Sequence, residues 1–289
     1  MKKKYGQNFL INKSIVKEII EAADIKTSDE ILEIGPGDGI LTKEIIHKKP
    51  KKFITIEIDK SLKENLDILF FKKTSHEYEI LFKDALQFDE TSKFNNNFKI
   101  ISNLPYNISL PLLIKWINQL NKYPVAKKMI LMFQKEVAER ILAKINSKKY
   151  GRISILSSVY YDIKKVIDVD KKNFFPIPKV NSSVLVFDLL KKPMLDISNI
   201  ENLQKITLEL FNNRRKKIKK KLQTMFSNEM INKNFLEELF DLRAENIPPQ
   251  MYCKLALLLK KIKNLSILAV YLSNVKFFLF HLHICLNCC

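Results

Sequence analysis

Between residues 30 and 133 the chain alternates between two hydrophobic periods. Short β-branched runs, "EILEIG", "KFITIEID", "YEILFKDA", "FKIISNLPY" and "KKMILMFQ", read as strands. The stretches between and after them, "ILTKEIIHK", "KSLKENLDILFF", "LPLLIKWINQL" and "KEVAERILAKI", carry apolar residues at helical spacing. Strands alternating with helices predict parallel βαβ units and an α/β sheet with helices on both faces. After "VLVFDLLKKPM" the strand signals stop, and residues from about 195 to 263 read as helices broken near Asn228 and at Pro248–Pro249. This places a domain boundary near Lys192–Pro193. The pattern changes again in the last stretch, "LSILAVYLSNVKFFLFHLHICLNCC", which is apolar and aromatic.

In a parallel sheet of this kind ligands bind outside the carboxyl ends of the strands. Gly35–Gly39, Glu57, Asp84 and Asn103 all fall at such ends. Glycine makes the first of these sites stand out. The chain has only five glycines, and three of them (Gly35, Gly37 and Gly39) lie within "EIGPGDG". Glycine is needed where the backbone turns through positive φ or approaches a ligand closely. No Gly-Lys-Ser/Thr follows, so this is not a phosphate-gripping P-loop, and Gly-x-Gly-x-Gly departs from the dinucleotide spacing.

Glu57 ends the second strand about 20 residues on, where a carboxylate can accept both hydroxyls of a ribose. Asp84, followed by Ala85, ends the third and can accept from an adenine amine. A glycine loop with two such carboxylates describes an adenosine pocket without a phosphate grip. S-adenosylmethionine fits it better than ATP or a dinucleotide.

The fourth strand delivers "SNLPYNIS" (102–109) to the same edge. Pro105 fixes its own φ and biases Leu104 towards an extended backbone. The resulting stiff turn presents the Asn103 amide and the Tyr106 ring. The Asn103 side-chain oxygen and a carbonyl of Leu104 or Pro105 can accept both protons of an adenine amine, turning its lone pair outward. Tyr106 can stack on the base, at about 1–3 kcal/mol per stacked base. No metal or strong base is required, and His47 and His76 fall outside every motif.

Charge extends the picture to a partner. The formal net charge is +19, which points towards nucleic acid or an anionic surface. Residues 189–263 carry sixteen Lys or Arg against eight Asp or Glu, densest in "RRKKIKKK" (214–221). Arg214, Arg215, Lys216 and Lys217 are candidate RNA contacts.

The basic N-terminus lacks the apolar core and cleavage site of a signal peptide. Three of the four cysteines lie in the last five residues, so no disulfide framework is implied and a reducing cytoplasm fits. His281, His283, Cys285 and Cys288 are possible metal ligand types. With no second ligand pair elsewhere they are read as part of a ragged tail, and no metal site is assigned.

In this order and spacing the motifs resemble the bacterial small-subunit ribosomal RNA adenine dimethyltransferases, over about Tyr5 to Leu259. The resemblance rests on "GQNFL", "EIGPGDGILT", "IEID", "DAL", "NLPYNIS", "YGRISILSS", "FFPIPKVNSSV", "FNNRRKKIKK" and "RAEN". It implies a Rossmann-like methyltransferase domain (1–192, with a basic arm at 1–13), a small all-helical RNA-binding domain (193–263), and a tail (264–289) that inherits no role. Donor contacts are implied at Asn8, Leu10, Gly35, Gly37, Glu57, Asp84, Ala85 and Asn103. Target adenine positioning falls to Asn103, Leu104, Pro105 and Tyr106, with aromatic help from Phe174 or Phe175.

The implied reaction is dimethylation of two adjacent adenines in a hairpin loop near the 3′ end of small-subunit rRNA, within an immature 30S particle. A cytoplasmic monomer with no membrane association is expected. Two alternatives stay open at this point: a large-subunit rRNA adenine methylase of the antibiotic-resistance type, and a mainly non-catalytic ribosome-assembly factor.

Overall fold

The computed structural model describes residues 7–70 and 77–262. Most of the basic arm's first residues, His76 and the 264–289 tail lie outside the described residues. The chain divides into two compact units, Met1–Pro193 and Met194–Cys289.

The first unit runs β1 (Phe9–Leu10), α1 (Lys13–Ala23), β2 (Glu30–Ile34), α2 (Ile40–His47), β3 (Lys52–Glu57), α3 (Lys63–Phe70), β4 (Glu77–Phe82), β5 (Phe98–Ser102), α4 (Tyr106–Asn118), β6 (Ala126–Gln134), α5 (Lys135–Ile141), α6 (Arg152–Tyr160), β7 (Tyr161–Val169), β8 (Phe174–Phe175) and β9 (Ser182–Leu189). Seven strands form one sheet in the order β4-β3-β2-β5-β6-β9-β7, flanked by helices. The β4, β3, β2, β5 and β6 strands are mutually parallel, so their carboxyl ends share one edge. β9 pairs antiparallel with β6 on one side and β7 on the other.

Sequence explains the packing locally. β2 and β5 are buried along their whole length, as strands covered on both faces must be. In α1, Ile15, Val16, Ile19, Ile20 and Ala23 fall on one stripe and are buried. They pack in a cluster with Ile31, Phe53, Ile101 and Ile130 of the sheet. Each such aliphatic side chain contributes about 1.5–3 kcal/mol relative to exposure. The Asn12 side chain caps α1 by accepting from Ser14 N at 2.8 Å. At the other end of α1, the buried Lys99 ammonium donates to the Ala23 and Asp24 carbonyls and pairs with Asp29 at 2.7 Å.

The second unit contains α7 (Ile200–Phe211), α8 (Lys219–Met225), α9 (Asn228–Lys233) and α10 (249–262). Ser227 caps α9 by accepting from Met230 N, which sets the break at Asn228. Pro249 stands at the first position of α10, where a missing N–H costs nothing.

Candidate active site

The four strand ends open onto one cavity of about 200 Å³. Its lining includes Asn8, Leu10, Gly35, Gly37, Glu57, Asp84, Ala85, Asn103, Leu104, Pro105 and Tyr106. Every residue expected at the donor pocket or the adenine clamp therefore reaches the same space.

The glycine loop leaves β2 with Gly35, Gly37 and Gly39 at φ 66°, 57° and 78°. At Gly37 an added Cβ would stand 2.7 Å from the Phe9 ring, and at Gly39 one would stand 2.3 Å from Leu69. At both positions the space a Cβ would take is already occupied by a neighbouring side chain, so the loop packs this closely only as glycine. Glu57, at the end of β3, is tied to the loop: one carboxylate oxygen accepts from Ile58 N and Asp59 N at 2.9 Å each, and the other lies 3.4 Å from Gly37 N. Burial pushes the Glu57 carboxyl above its ordinary range, and the backbone donors oppose that push. Its orientation is thus set by the backbone.

Beyond β4, Asp84 accepts from Leu86 N at 2.9 Å, holding a tight turn. Lys115 of α4 fixes that segment from behind. Its ammonium donates to the Ala85 carbonyl at 2.9 Å, to the Phe88 carbonyl, and to the buried Glu90 at 2.9 Å. Trp116 Nε1 donates to the same Glu90 oxygen at 2.7 Å.

After β5, the Asn103 Nδ2 donates to the Asn8 carbonyl at 3.2 Å, which assigns Oδ1 as the acceptor end left to the cavity. Pro105 is the N-cap of α4, and its carbonyl accepts from Ile108 N at 3.1 Å. Tyr106 opens the helix, and its hydroxyl lies 2.6 Å from Ser182 Oγ. The N-terminal residues close the cavity because β1 pairs antiparallel with β8, Phe9 opposite Phe175 and Leu10 opposite Phe174.

Among the lining residues not expected from the sequence is a buried acid, Glu33. Glu33 is 1% exposed inside β2. Burial pushes its carboxyl up to about 8; the Thr42 hydroxyl, donating at 2.7 Å, opposes this, and the Glu57 charge adds to it. An acid at an interior position of a fully buried strand was the available signal.

A ribosomal RNA adenine dimethylase family model matches residues 1–261. The chain belongs to that family. Relatives of this dimethylase include the ribosomal RNA small subunit methyltransferase A of Pelagibacter ubique, 40% identical over 88% of this chain and 95% of its own length. That of Buchnera aphidicola is 40% identical over 91% and 94%. A dimethyladenosine transferase from Plasmodium falciparum has a similar structure, with TM-score 0.74, 29% identity, and coverage of 88% of this chain and 98% of its own. The 23S rRNA methyltransferase ErmE shares the fold, with TM-score 0.67 and 20% identity, covering 88% and 100%.

Exposure distinguishes the two phenylalanines expected as substrate contacts of this dimethylase. Phe174 is 1% exposed and belongs to the core. Adjacent strand residues face opposite ways, and Phe175 is 55% exposed. Neither phenylalanine is among the described residues lining the cavity.

In the helical unit the basic run is partly spent on internal pairs. Arg214 meets Glu245 at 2.7 Å, Lys217 meets Asp241 at 2.6 Å, and Lys221 meets Glu209 at 3.3 Å. Ile218 within the run is buried. Arg215, Lys216 and Lys220 are exposed. Among the described residues no group of His, Cys, Asp and Glu is arranged to hold a metal, and no helix is long and apolar enough to cross a membrane.

Proposed function

We propose that this chain transfers methyl groups from S-adenosylmethionine to the exocyclic amines of two adjacent adenines in a 3′-proximal hairpin loop of small-subunit rRNA. It acts as a cytoplasmic monomer on an immature 30S particle. The observation that carries the reading is the convergence of the glycine loop, Glu57, Asp84 and the Asn103–Tyr106 turn on one cavity at the parallel strand edge. Membership of the dimethylase family and relatives named for the small subunit support the choice of RNA.

The residues present fit the donor. Gly35 and Gly37 line the cavity at positive φ, and the fixed Glu57 carboxylate can accept from ribose hydroxyls, each bond to a charged group contributing about 1.5–3 kcal/mol. Asp84, held by its turn, accepts from the donor's adenine amine. When bound, S-adenosylmethionine supplies a methyl carbon activated by an adjacent sulfonium.

The chain's own contribution at the target base is positional. Asn103 Oδ1 accepts one proton of the amine. A carbonyl of Leu104 or Pro105 accepts from the second N–H, the Pro105 carbonyl also accepting from Ile108 N within the helix. Held by two acceptors, the nitrogen loses conjugation with the ring and its lone pair turns towards the donor. Tyr106 stacks on the base, and Phe175, exposed on the ribbon, meets the flanking nucleotide. A loop offers unstacked bases more cheaply than a duplex. Arg215, Lys216 and Lys220 of the helical unit contact RNA phosphates.

The test is tritiated donor with undermethylated 30S and 50S particles, followed by nucleoside analysis. Dimethyladenosine from 30S material is expected. Label confined to 50S material, or no label in either, overturns the reading.

A further inference from the structure

Tyr106 needs more than a backbone address to serve as a stacking surface. Its ring is half-buried at the first position of α4, and its Cα–Cβ end alone does not fix the plane of the ring. The structure supplies a second anchor at the far end, the 2.6 Å contact between the phenol and Ser182 Oγ.

Ser182 is itself held within the sheet. It is 0% exposed and opens β9, where its backbone is in register with Gln134 of β6 and Val169 of β7. The residues on each side are also fastened. Asn181 carbonyl accepts from Lys135 N at 2.9 Å, and Ser183 Oγ donates to Asp168 at 2.6 Å. Asp168 in turn meets Lys135 and Lys165 at 3.3 and 3.0 Å. Packing alone gives no reason for a hydroxyl at a fully buried strand position, because a buried hydroxyl costs free energy unless it is hydrogen-bonded. Tyr106 is the partner that offsets that cost.

We infer that Ser182 is a positioning residue for methyl transfer, holding the Tyr106 ring in the plane that receives the target adenine. This rests on the reading of Asn103–Tyr106 as the adenine clamp. Burial keeps the phenol protonated through the neutral range, so the contact persists at working pH. The bond reaches the reaction through ring orientation, so it bears on turnover and not on donor affinity.

A double-mutant cycle on the full chain tests this. Ser182→Ala and Tyr106→Phe are each expected to lower kcat about 3- to 10-fold, the scale of one neutral hydrogen bond. The double variant should be no slower than the slower single one. The donor Kd by calorimetry should stay within about twofold in all three. Ser183→Ala, one residue along the strand, is the control: it should lower the melting temperature with native kcat.

Multiplicative losses in the double variant, native kcat in Ser182→Ala, or a parallel loss of donor affinity overturns the assignment. Should Ser182→Ala fail to fold, Tyr106→Phe breaks the same bond from the other side, and native kcat in that variant overturns it equally. Asn103→Ala, assayed alongside, separates the two levels. Native turnover there removes the clamp reading itself, whereas lost turnover there with native Ser182→Ala removes only the role of Ser182.

Discussion

The Phe9 ring lies against the Gly37 backbone, so that a Cβ on Gly37 would sit 2.7 Å from it. The glycine loop is therefore constrained twice, by its φ of 57° and by an aromatic ring brought from the N-terminal strand. Gly37→Ala is expected to weaken donor binding by about tenfold or more, since positive φ alone costs a non-glycine residue roughly 1–2 kcal/mol. Adding Phe9→Ala removes the contact but not the backbone strain, so calorimetry should show partial recovery. Full recovery would mean that the turn tolerates alanine.

Glu33 makes stability depend on pH in a definite direction. Its carboxyl ionises near 4.5 ordinarily and near about 8 when folded. Between those values folding takes up a proton, so stability falls as pH rises through that window and levels off above it. Glu33→Gln, which keeps an acceptor for the Thr42 hydroxyl, should melt several degrees higher than the native chain at pH 8.5 and about equally at pH 4.5. On this chain length 1 kcal/mol corresponds to roughly 2–4 °C. The same difference at both pH values would show that the effect is not ionisation.

Lys115 serves the site from outside the cavity. Removing it as Lys115→Met strands the Glu90 carboxylate, which is 2% exposed. Breaking a buried pair from one side costs about 3–5 kcal/mol. Urea unfolding should show that loss, and donor affinity should fall because Ala85 and Phe88 lose their anchor. Pairing it with Glu90→Gln should restore most of the stability and little of the affinity.

In the helical unit, Arg215 and Lys216 are exposed, whereas Arg214 is half-buried and paired with Glu245. Charge reversal of Arg215 and Lys216 should flatten the plot of log affinity against log salt by more than 1, at about 0.7–0.9 per phosphate contact. Arg214→Gln should act mainly on the melting temperature, because Glu245 loses its partner. An unchanged salt slope in the first variant would return that run to an ordinary solvated surface.

The parallel half of the sheet was legible because β2 to β6 are short apolar runs bounded by turns, and all but β4 are followed by a helical period. The strand-edge residues could be named for the same reason: period and order decide which end of a parallel strand faces a ligand. Pairings that sequence period does not encode stayed hidden. β1 and β8 are two residues each, too short to show alternation, so nothing in "GQNFL" or "FFPIP" announced that they pair or which phenylalanine would be buried. Placing β9 between β6 and β7 is likewise a tertiary choice. Arg214, Lys217 and Lys221 looked like a uniform basic face because their acids lie elsewhere in the chain, at Glu245, Asp241 and Glu209.

The β1–β8 ribbon also sets a condition on synthesis. The residues that wall the cavity at its N-terminal side acquire their strand partner only when residues 174–175 have left the translating ribosome. Until then the glycine turn lacks its aromatic backing, although β2, β3 and β5 are already made. Fragments ending before β8, which lack the strand partner of Phe9 and Leu10, should therefore bind the methyl donor less tightly than the full chain.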